Sequence, residues 1–121
     1  MKTFKQFLVE SFNPEHDNQD DVKAVLGWMR VKSPSELNWE FKMVPTETFK
    51  TAIENMESSY PQFPKEEART KKIQKALASG QKPWPIFVDH TDGFIMEGRH
   101  RIVAFSRVGM QDIPAVYVSK K

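Results

Sequence analysis

The sequence predicts an α+β fold in which a small mixed sheet packs against several helices. Two observations support this class. Apolar residues recur every three to four positions in some segments, as on one face of a helix, whereas short apolar runs bounded by glycine, proline or aspartate are typical of strands. The chain has 121 residues, of which 39% are hydrophobic, and this length suits one domain with a single core.

The first half of the chain contains two expected helices and one expected strand. Val22, Val25 and Met29 lie on one helical stripe, and the acidic residues before them favour a helix start. Pro45 suits the beginning of the second helix. In order, we expect a linker over residues 13–21, a helix that ends at 33–35, a strand over 39–44, a helix from 45 and a loop over 60–64.

The second half is expected to alternate between helices and strands. Gly80 and Gly109 each follow a helical pattern, and glycine commonly ends a helix. The dipeptide Asp92-Gly93 between two apolar runs is a strong hairpin signal. In order, we expect a helix over residues 65–78, a strand over 85–88, a turn over 89–93, a strand over 94–96, a helix over 99–108 and a strand over 113–118.

We divide the chain into three parts. Residues 1–12 form a short amphipathic segment, which is either a first helix or a cleavable leader, with Phe4, Phe7 and Leu8 at helical spacing. Residues 13–41 are expected to be a linker and a helical N-terminal extension. Residues 42–121 are expected to form the main domain.

Composition excludes several classes of function. The chain has no cysteine, which excludes disulfides, thiolate metal sites and cysteine nucleophiles and is typical of an intracellular protein. The net charge of +2 is weak evidence for a nucleic-acid partner, and the basic run over residues 69–75 is expected to be a solvated helix face. No apolar run approaches the roughly 18–20 residues that span a bilayer, and the first eight residues lack a secretory pattern. We therefore expect no membrane association.

The candidate site is the junction at which an expected strand stops at Gly98 and a helix begins at once. The first N–H groups of a helix have no intrahelical partner, and the helix dipole adds about half a positive charge there, so such a start binds anions readily. Gly98 has no Cβ and lets a phosphate approach the backbone. Arg99, His100 and Arg101 place cationic or donor groups in the same turn. The sequence therefore predicts phosphate or nucleotide binding by Gly98, Arg99, His100 and Arg101.

Geometry leaves alternatives open at this junction. Residues two apart on a helix do not face each other, so Arg99 and Arg101 converge on one phosphate only if Arg99 lies in the preceding turn. Otherwise one of them serves another partner, such as Glu97 or a nucleic-acid backbone. In the structural alternative, Gly98 is only a tight turn, Arg101 is an ion-pair partner and His100 caps or packs.

Acidic residues beside the junction are candidates for metal binding or catalysis. Phosphoryl transfer needs cations on the phosphates and a positioned base. Asp89 and Asp92 are candidate Mg²⁺ ligands, although in the simpler alternative they only shape the hairpin turn. Glu97 and His100 are the candidate catalytic residues. Trp84 lies between two prolines and either stacks on a base or packs in the core.

The junction resembles the ParB/sulfiredoxin superfamily, whose signature is a hairpin, an Asp/Glu-Gly-x-His-Arg box that opens a helix, a glycine and an Ile-Pro strand. Here these features are Asp92-Gly93, residues 97–101, Gly109 and Ile113-Pro114. Val44-Pro45 and the passage from Lys72 through Gly80 to Pro85 also match in order. The resemblance covers about residues 42–118 and implies the fold of that superfamily.

The resemblance implies nucleotide binding, with ATP, CTP or another nucleotide and Mg²⁺ as the expected cofactors. Members include CTP-hydrolysing partition clamps, ATP-using sulfinic acid reductases, serine kinases and proteins labelled nucleases. Arg99 stands where the reductases place a catalytic cysteine, so that reaction is excluded. The chain also lacks the DNA-binding helix-turn-helix domain of the partition proteins. NTP hydrolysis, phosphoryl transfer and nuclease activity stay open.

The first ten residues resemble the capsid-targeting leader of internal head proteins in T-even-type bacteriophages. These leaders begin Met-Lys-Thr-aromatic and end in Leu/Ile-x-Glu, after which a prohead protease cuts. Leu8-Val9-Glu10 fits this pattern, so the resemblance implies cleavage between Glu10 and Ser11. It further implies a protein that is packaged in the virion interior and delivered to the host cytoplasm.

Two other functions compete with nucleotide binding. The basic box also suits the phosphate backbone of a nucleic acid, and such binding should weaken steeply with salt. A packaged protein also suits the role of a non-catalytic inhibitor that binds a host protein, for example in host defence. The sequence does not give the base preference or the oligomeric state.

Overall fold

The computed structural model of the protein describes residues 12–121. Within this range the chain forms four α-helices and four β-strands, which confirms the expected α+β class with a mixed sheet. In chain order they are α1 (Gln19–Met29), β1 (Leu37–Pro45), α2 (Lys50–Ser59), α3 (Pro64–Ala78), β2 (Ile86–Asp89), β3 (Ile95–Glu97), α4 (Arg99–Arg107) and β4 (Asp112–Lys120). Short 3-10 helices, Pro34–Glu36 and Thr46–Phe49, precede β1 and α2.

The four strands form one sheet in the order β1-β4-β2-β3. β1 and β4 pair antiparallel along their whole lengths, from Leu37 opposite Lys120 to Pro45 opposite Asp112. β2 lies parallel to β4 and antiparallel to the short edge strand β3. The parallel pair makes β2 and β4 the buried centre of the sheet, as expected for their nearly continuous apolar sequences.

Helices cover both faces of the sheet. Because successive residues of a strand point to opposite faces, β2 supplies Ile86 and Val88 to one face and Phe87 to the other. All three side chains are fully buried. The face with Ile86 packs against α2 and α4, whereas α1 covers the face with Phe87. The core therefore has two layers, and α4 with its preceding turn lies beside the central strand β2.

A buried hydrogen bond fixes α3 against the rest of the domain. The Tyr60 hydroxyl lies 2.6 Å from the Thr70 hydroxyl, and both residues are almost completely buried. Buried hydroxyl groups require such a partner, because an unpaired one costs about 1–3 kcal/mol. This contact places the first turn of α3 within reach of the first turn of α4.

Within residues 12–121 the helices and strands expected after residue 21 are all present, with differences at their ends. α1 ends at Met29, where Arg30 adopts a left-handed conformation with φ of 58°, and not at residues 33–35. Ser33 instead caps the 3-10 helix that leads into β1. β1 and β4 extend beyond the expected ranges because they pair with each other over nine residues.

The expected boundary between residues 41 and 42 falls inside β1, and α1 packs on the same sheet through Val25 and Met29. Phe12 also joins this layer, with its ring centroid 5.3 Å from that of Phe87. The predicted leader and its cleavage site between Glu10 and Ser11 lie outside the described residues.

In residues 12–121, no helix has the combination of length and apolar sequence that crossing a membrane requires.

Candidate functional site

The turn between β3 and α4 consists of a single residue, Gly98. Its φ of 100° lies in the left-handed region that residues with a Cβ avoid. A Cβ at this position would lie 2.8 Å from Ile86 Cγ2 and 3.1 Å from Ile86 Cα, which is closer than packed atoms approach each other. Glycine is therefore required here for two reasons, and its contact with β2 fixes the point at which α4 begins.

The first turn of α4 exposes backbone donors. No side chain of the described residues caps this helix start, and the first N–H with an acceptor there is that of Ile102, which donates to the Gly98 carbonyl at 2.9 Å. The N–H groups of Arg99, His100 and Arg101 have no acceptor among residues 12–121. Together with the helix dipole, three unsatisfied donors at one helix end favour an anion.

Arg99 is the first residue of α4 and its side chain is exposed. It forms no hydrogen bond or ion pair with any residue in the described part of the chain. The side chain lines a pocket of about 330 Å³ between α2, β3 and α4. Arg99 can thus offer its guanidinium group to a ligand beside these N–H groups without breaking a hydrogen bond or ion pair to residues 12–121.

Arg101 lies only two residues further on, but the protein already engages its side chain. Nη1 donates a hydrogen bond to the Pro85 carbonyl at 2.8 Å and lies 3.0 Å from Asp21 Oδ2. Only 15% of the Arg101 side chain is exposed. Arg101 therefore links α4 to α1 and to the segment before β2, which is the structural alternative that the sequence left open for this residue.

His100 is also paired within the protein. Its Nε2 contacts Glu66 Oε2 in the first turn of α3. The hydrogen bond from His100 lowers the pKa of the Glu66 carboxyl, and the charges of His100, Arg69 and Arg99 act in the same direction. This contact ties the first turns of α3 and α4 together, so His100 positions the helix start on one side as Arg101 does on the other.

Glu97 ends β3 immediately before the turn and is partly buried. Burial raises the pKa of its carboxyl, and the negative charge of Asp21 raises it further, whereas Arg101 and Arg99 oppose the shift. Its carboxyl group has no hydrogen-bond partner in residues 12–121. A carboxyl that holds its proton to higher pH than usual, next to a helix start with unsatisfied N–H donors, is suited to general acid–base catalysis.

Asp89 and Asp92 shape the hairpin between β2 and β3. Asp89 Oδ1 accepts a hydrogen bond from the Thr91 N–H at 2.9 Å, and Asp92 Oδ1 accepts one from the Phe94 N–H at the same distance. No group of three or more acidic or histidine side chains in residues 12–121 is arranged to hold a metal ion. Asp89 and Asp92 thus have the turn-forming role of the simpler alternative, and their role as Mg²⁺ ligands stays a prediction.

Trp84 is half exposed and does not belong to the core, with 46% of its surface accessible. The Lys82 ammonium lies 4.9 Å from the centre of its ring. Trp84 and Arg101 line a groove of about 270 Å³ between α1, α3 and α4. Trp84 is thus available for stacking, although on the side of α4 where the arginine is already paired.

Sequence reasoning missed the acidic partners of the junction. Glu66 lies 34 residues before His100, and Asp21 lies 80 residues before Arg101, so no local pattern connects them. Both acids lie in the first turn of a helix, where acidic residues are common because they interact favourably with the helix dipole. Their presence there therefore did not indicate that they pair with residues of α4. The sequence also did not single out Asn55, which lines the pocket beside Arg99.

Compared with known proteins, the chain matches no protein-family model, no curated protein and no solved structure. The resemblance to the ParB/sulfiredoxin superfamily therefore rests on the sequence motif alone.

Proposed function

We propose that this protein binds the phosphate group of a nucleotide at the start of α4. The observation that carries the proposal is a combination of donors without a partner among residues 12–121: the backbone N–H groups of Arg99, His100 and Arg101, and the exposed Arg99 guanidinium. Backbone donors and a planar guanidinium are the groups that proteins most often use for phosphate. ATP, CTP and related nucleotides are the ligands that we expect.

The residues of the junction divide into ligand-binding and positioning groups. The N–H groups of the first turn and the Arg99 guanidinium bind the phosphate. Gly98, His100 and Arg101 hold the helix start in place through Ile86, Glu66 and Asp21, respectively. Glu97 is the group best suited to move a proton if the bound nucleotide is hydrolysed or transfers its phosphate. Delivery from a phage head stays a prediction, because it depends on residues 1–10.

The test is calorimetric titration of the full chain with ATP, CTP and ADP, with and without Mg²⁺. Arg99→Ala should weaken binding about 10- to 100-fold, because a charge-assisted hydrogen bond to phosphate contributes roughly 1.5–3 kcal/mol. The melting temperature of this variant should match that of the wild type, since the Arg99 side chain forms no hydrogen bond or ion pair with residues 12–121. Lys23→Ala is the matched control, because it removes one exposed positive charge from α1, on the opposite face of the sheet.

Absence of heat with every nucleotide, or equal affinities for Arg99→Ala and the wild type, would reject the proposal. The same titration with a short single-stranded oligonucleotide separates nucleotide binding from binding to a nucleic-acid backbone. A preference for the oligonucleotide that falls steeply between 50 and 200 mM salt, on the scale of about 10³ or more, would favour the backbone function.

A further inference from the structure

The pocket beside Arg99 has the size and lining of a small-molecule site. It has a volume of about 330 Å³ and lies between α2, β3 and the start of α4. Pockets for small ligands measure about 300–1,000 Å³ and are mostly apolar, with a few polar groups that orient the ligand. At the lower end of this range, the pocket holds one ring system rather than a chain of several residues.

The pocket begins where the proposed phosphate site ends. Arg99 and Ile102 both line it, and residues three apart lie on the same face of a helix. Their positions differ by only about 4.5 Å along the helix axis. A ligand whose phosphate contacts the first N–H groups of α4 can therefore continue along this helix face into the pocket, with a sugar-sized spacer between the two parts.

The lining selects a planar ring with a polar edge. Phe94 leaves 45% of its surface exposed, although its ring also contacts that of Trp28 in α1 at a centroid distance of 5.4 Å. Its carbonyl accepts a hydrogen bond from the Asp89 N–H, and its own N–H donates to Asp92 Oδ1. Exposed aromatic rings stack on nucleobases in many binding sites. The Asn55 side-chain amide has no hydrogen-bond partner among residues 12–121, and it carries both a donor and an acceptor, as recognition of a base edge requires.

We propose that this pocket binds the base of a nucleoside phosphate, with Phe94 stacking on the ring and Asn55 hydrogen-bonding to its edge. This inference rests on the proposed phosphate site and names the ligand as a nucleotide with its base against α2. Met56 and Ile102 form the apolar wall, so a charged or strongly hydrated group is a poor fit.

The groove at Trp84 is the natural competitor for the base. It lies on the other side of α4, and the arginine beside it is engaged by Asp21 and Pro85. The α2 pocket instead offers an exposed ring together with an arginine and an amide that have no hydrogen-bond partner in the part of the chain that the structure describes. Because both sites have a half-exposed aromatic residue near the same helix start, Trp84→Ala is a matched control for Phe94→Ala.

The experiment compares tripolyphosphate with ATP and CTP by calorimetry on the full chain. Phe94→Ala should weaken ATP binding about 5- to 100-fold and leave tripolyphosphate binding unchanged, because only the base loses its stacking partner. Asn55→Ala should bring the affinities for ATP and CTP closer together, since it removes the group that distinguishes the base edges. Trp84→Ala should bind all three ligands as the wild type does.

The outcomes separate this inference from the phosphate site. If tripolyphosphate binds in an Arg99-dependent way but Phe94→Ala and Asn55→Ala leave ATP binding unchanged, the base does not lie in this pocket. If only Trp84→Ala loses ATP binding, the base lies in the groove at Trp84 and the proposal for the α2 pocket is wrong. If neither tripolyphosphate nor any nucleotide binds the wild type, the proposed function fails and this inference fails with it.

Discussion

The two sides of the first turn of α4 differ in whether their arginine side chains have partners among the described residues. On the side of α1 and β2, Arg101 is paired with Asp21 and Pro85, and Gly98 packs against Ile86. On the side of α2, Arg99 is exposed, unpaired within residues 12–121, and lines an apolar pocket. We call the first the closed side and the second the open side.

This difference follows from helix geometry. At 3.6 residues per turn, positions 99 and 101 lie about 200° apart around the helix axis. The two arginines therefore face different neighbours although they are only two residues apart in the sequence. One reaches α1 and the other reaches solvent. The closed side thus fixes the helix start, and the open side leaves donors for a ligand. Binding and stability should respond separately to changes on the two sides.

Gly98→Ala should have the largest effect on stability. A left-handed conformation costs a residue with a Cβ about 1–2 kcal/mol, and overlap with Ile86 adds about 1–3 kcal/mol. We expect a loss of about 3 kcal/mol, or roughly 12 °C in melting temperature for a domain of this size. Thermal unfolding followed by circular dichroism measures this change.

Gly80→Ala is the matched control for that variant. Gly80 has a similar φ of 89°, but a Cβ there would meet no atom within 4 Å. The free energy of unfolding of Gly80→Ala should therefore fall only by the cost of the left-handed conformation, about 1–2 kcal/mol. Equal losses in the two variants would mean that Ile86 moves aside without cost, and the closed side would then be less rigid than its contacts indicate.

Arg101→Ala should have the next largest effect. The substitution leaves the Asp21 carboxylate and the Pro85 carbonyl without their partner at a poorly exposed position. We expect a loss of about 2 kcal/mol, less than the 3–5 kcal/mol of a fully buried pair. Arg99→Ala is the natural comparison and should stay within about 0.5 kcal/mol of the wild type. If the two substitutions lower the free energy of unfolding equally, the distinction between the closed and open sides is wrong.

Much of this fold could be predicted from local sequence. Asp92-Gly93 forms the expected hairpin, and α4 begins directly after Gly98, because turn chemistry and helix starts depend on neighbouring residues. The reason for Gly98 could not be predicted in full, since its contact with Ile86 joins residues that are distant in sequence. For the same reason, the sequence could not decide which of Arg99 and Arg101 would be free.

Glu97→Gln should have the smallest effect, and its sign depends on pH. In the folded protein, burial and the charge of Asp21 raise the pKa of Glu97 above its ordinary value of 4.5. The folded state therefore binds more protons than the unfolded state in this window, so the wild type loses stability as pH rises from 4.5 through the raised pKa. Glutamine does not titrate. The variant should therefore gain stability relative to the wild type over this window, by less than about 1 kcal/mol because the site is partly solvated.

Urea unfolding of both proteins at a series of pH values tests this prediction. The difference in free energy of unfolding should grow above pH 4.5 and level off once Glu97 is ionised in the folded state. In an Asp21→Asn background the growth should be smaller, because the neighbouring negative charge is gone and Arg101 then attracts Glu97 alone. A difference that stays constant with pH would show that Glu97 titrates like an ordinary glutamate, and one that favours the wild type as pH rises would show that the pKa of Glu97 is lowered in the folded protein. In either case Glu97 would have no advantage as an acid or base, and the proposed function would reduce to nucleotide binding without turnover.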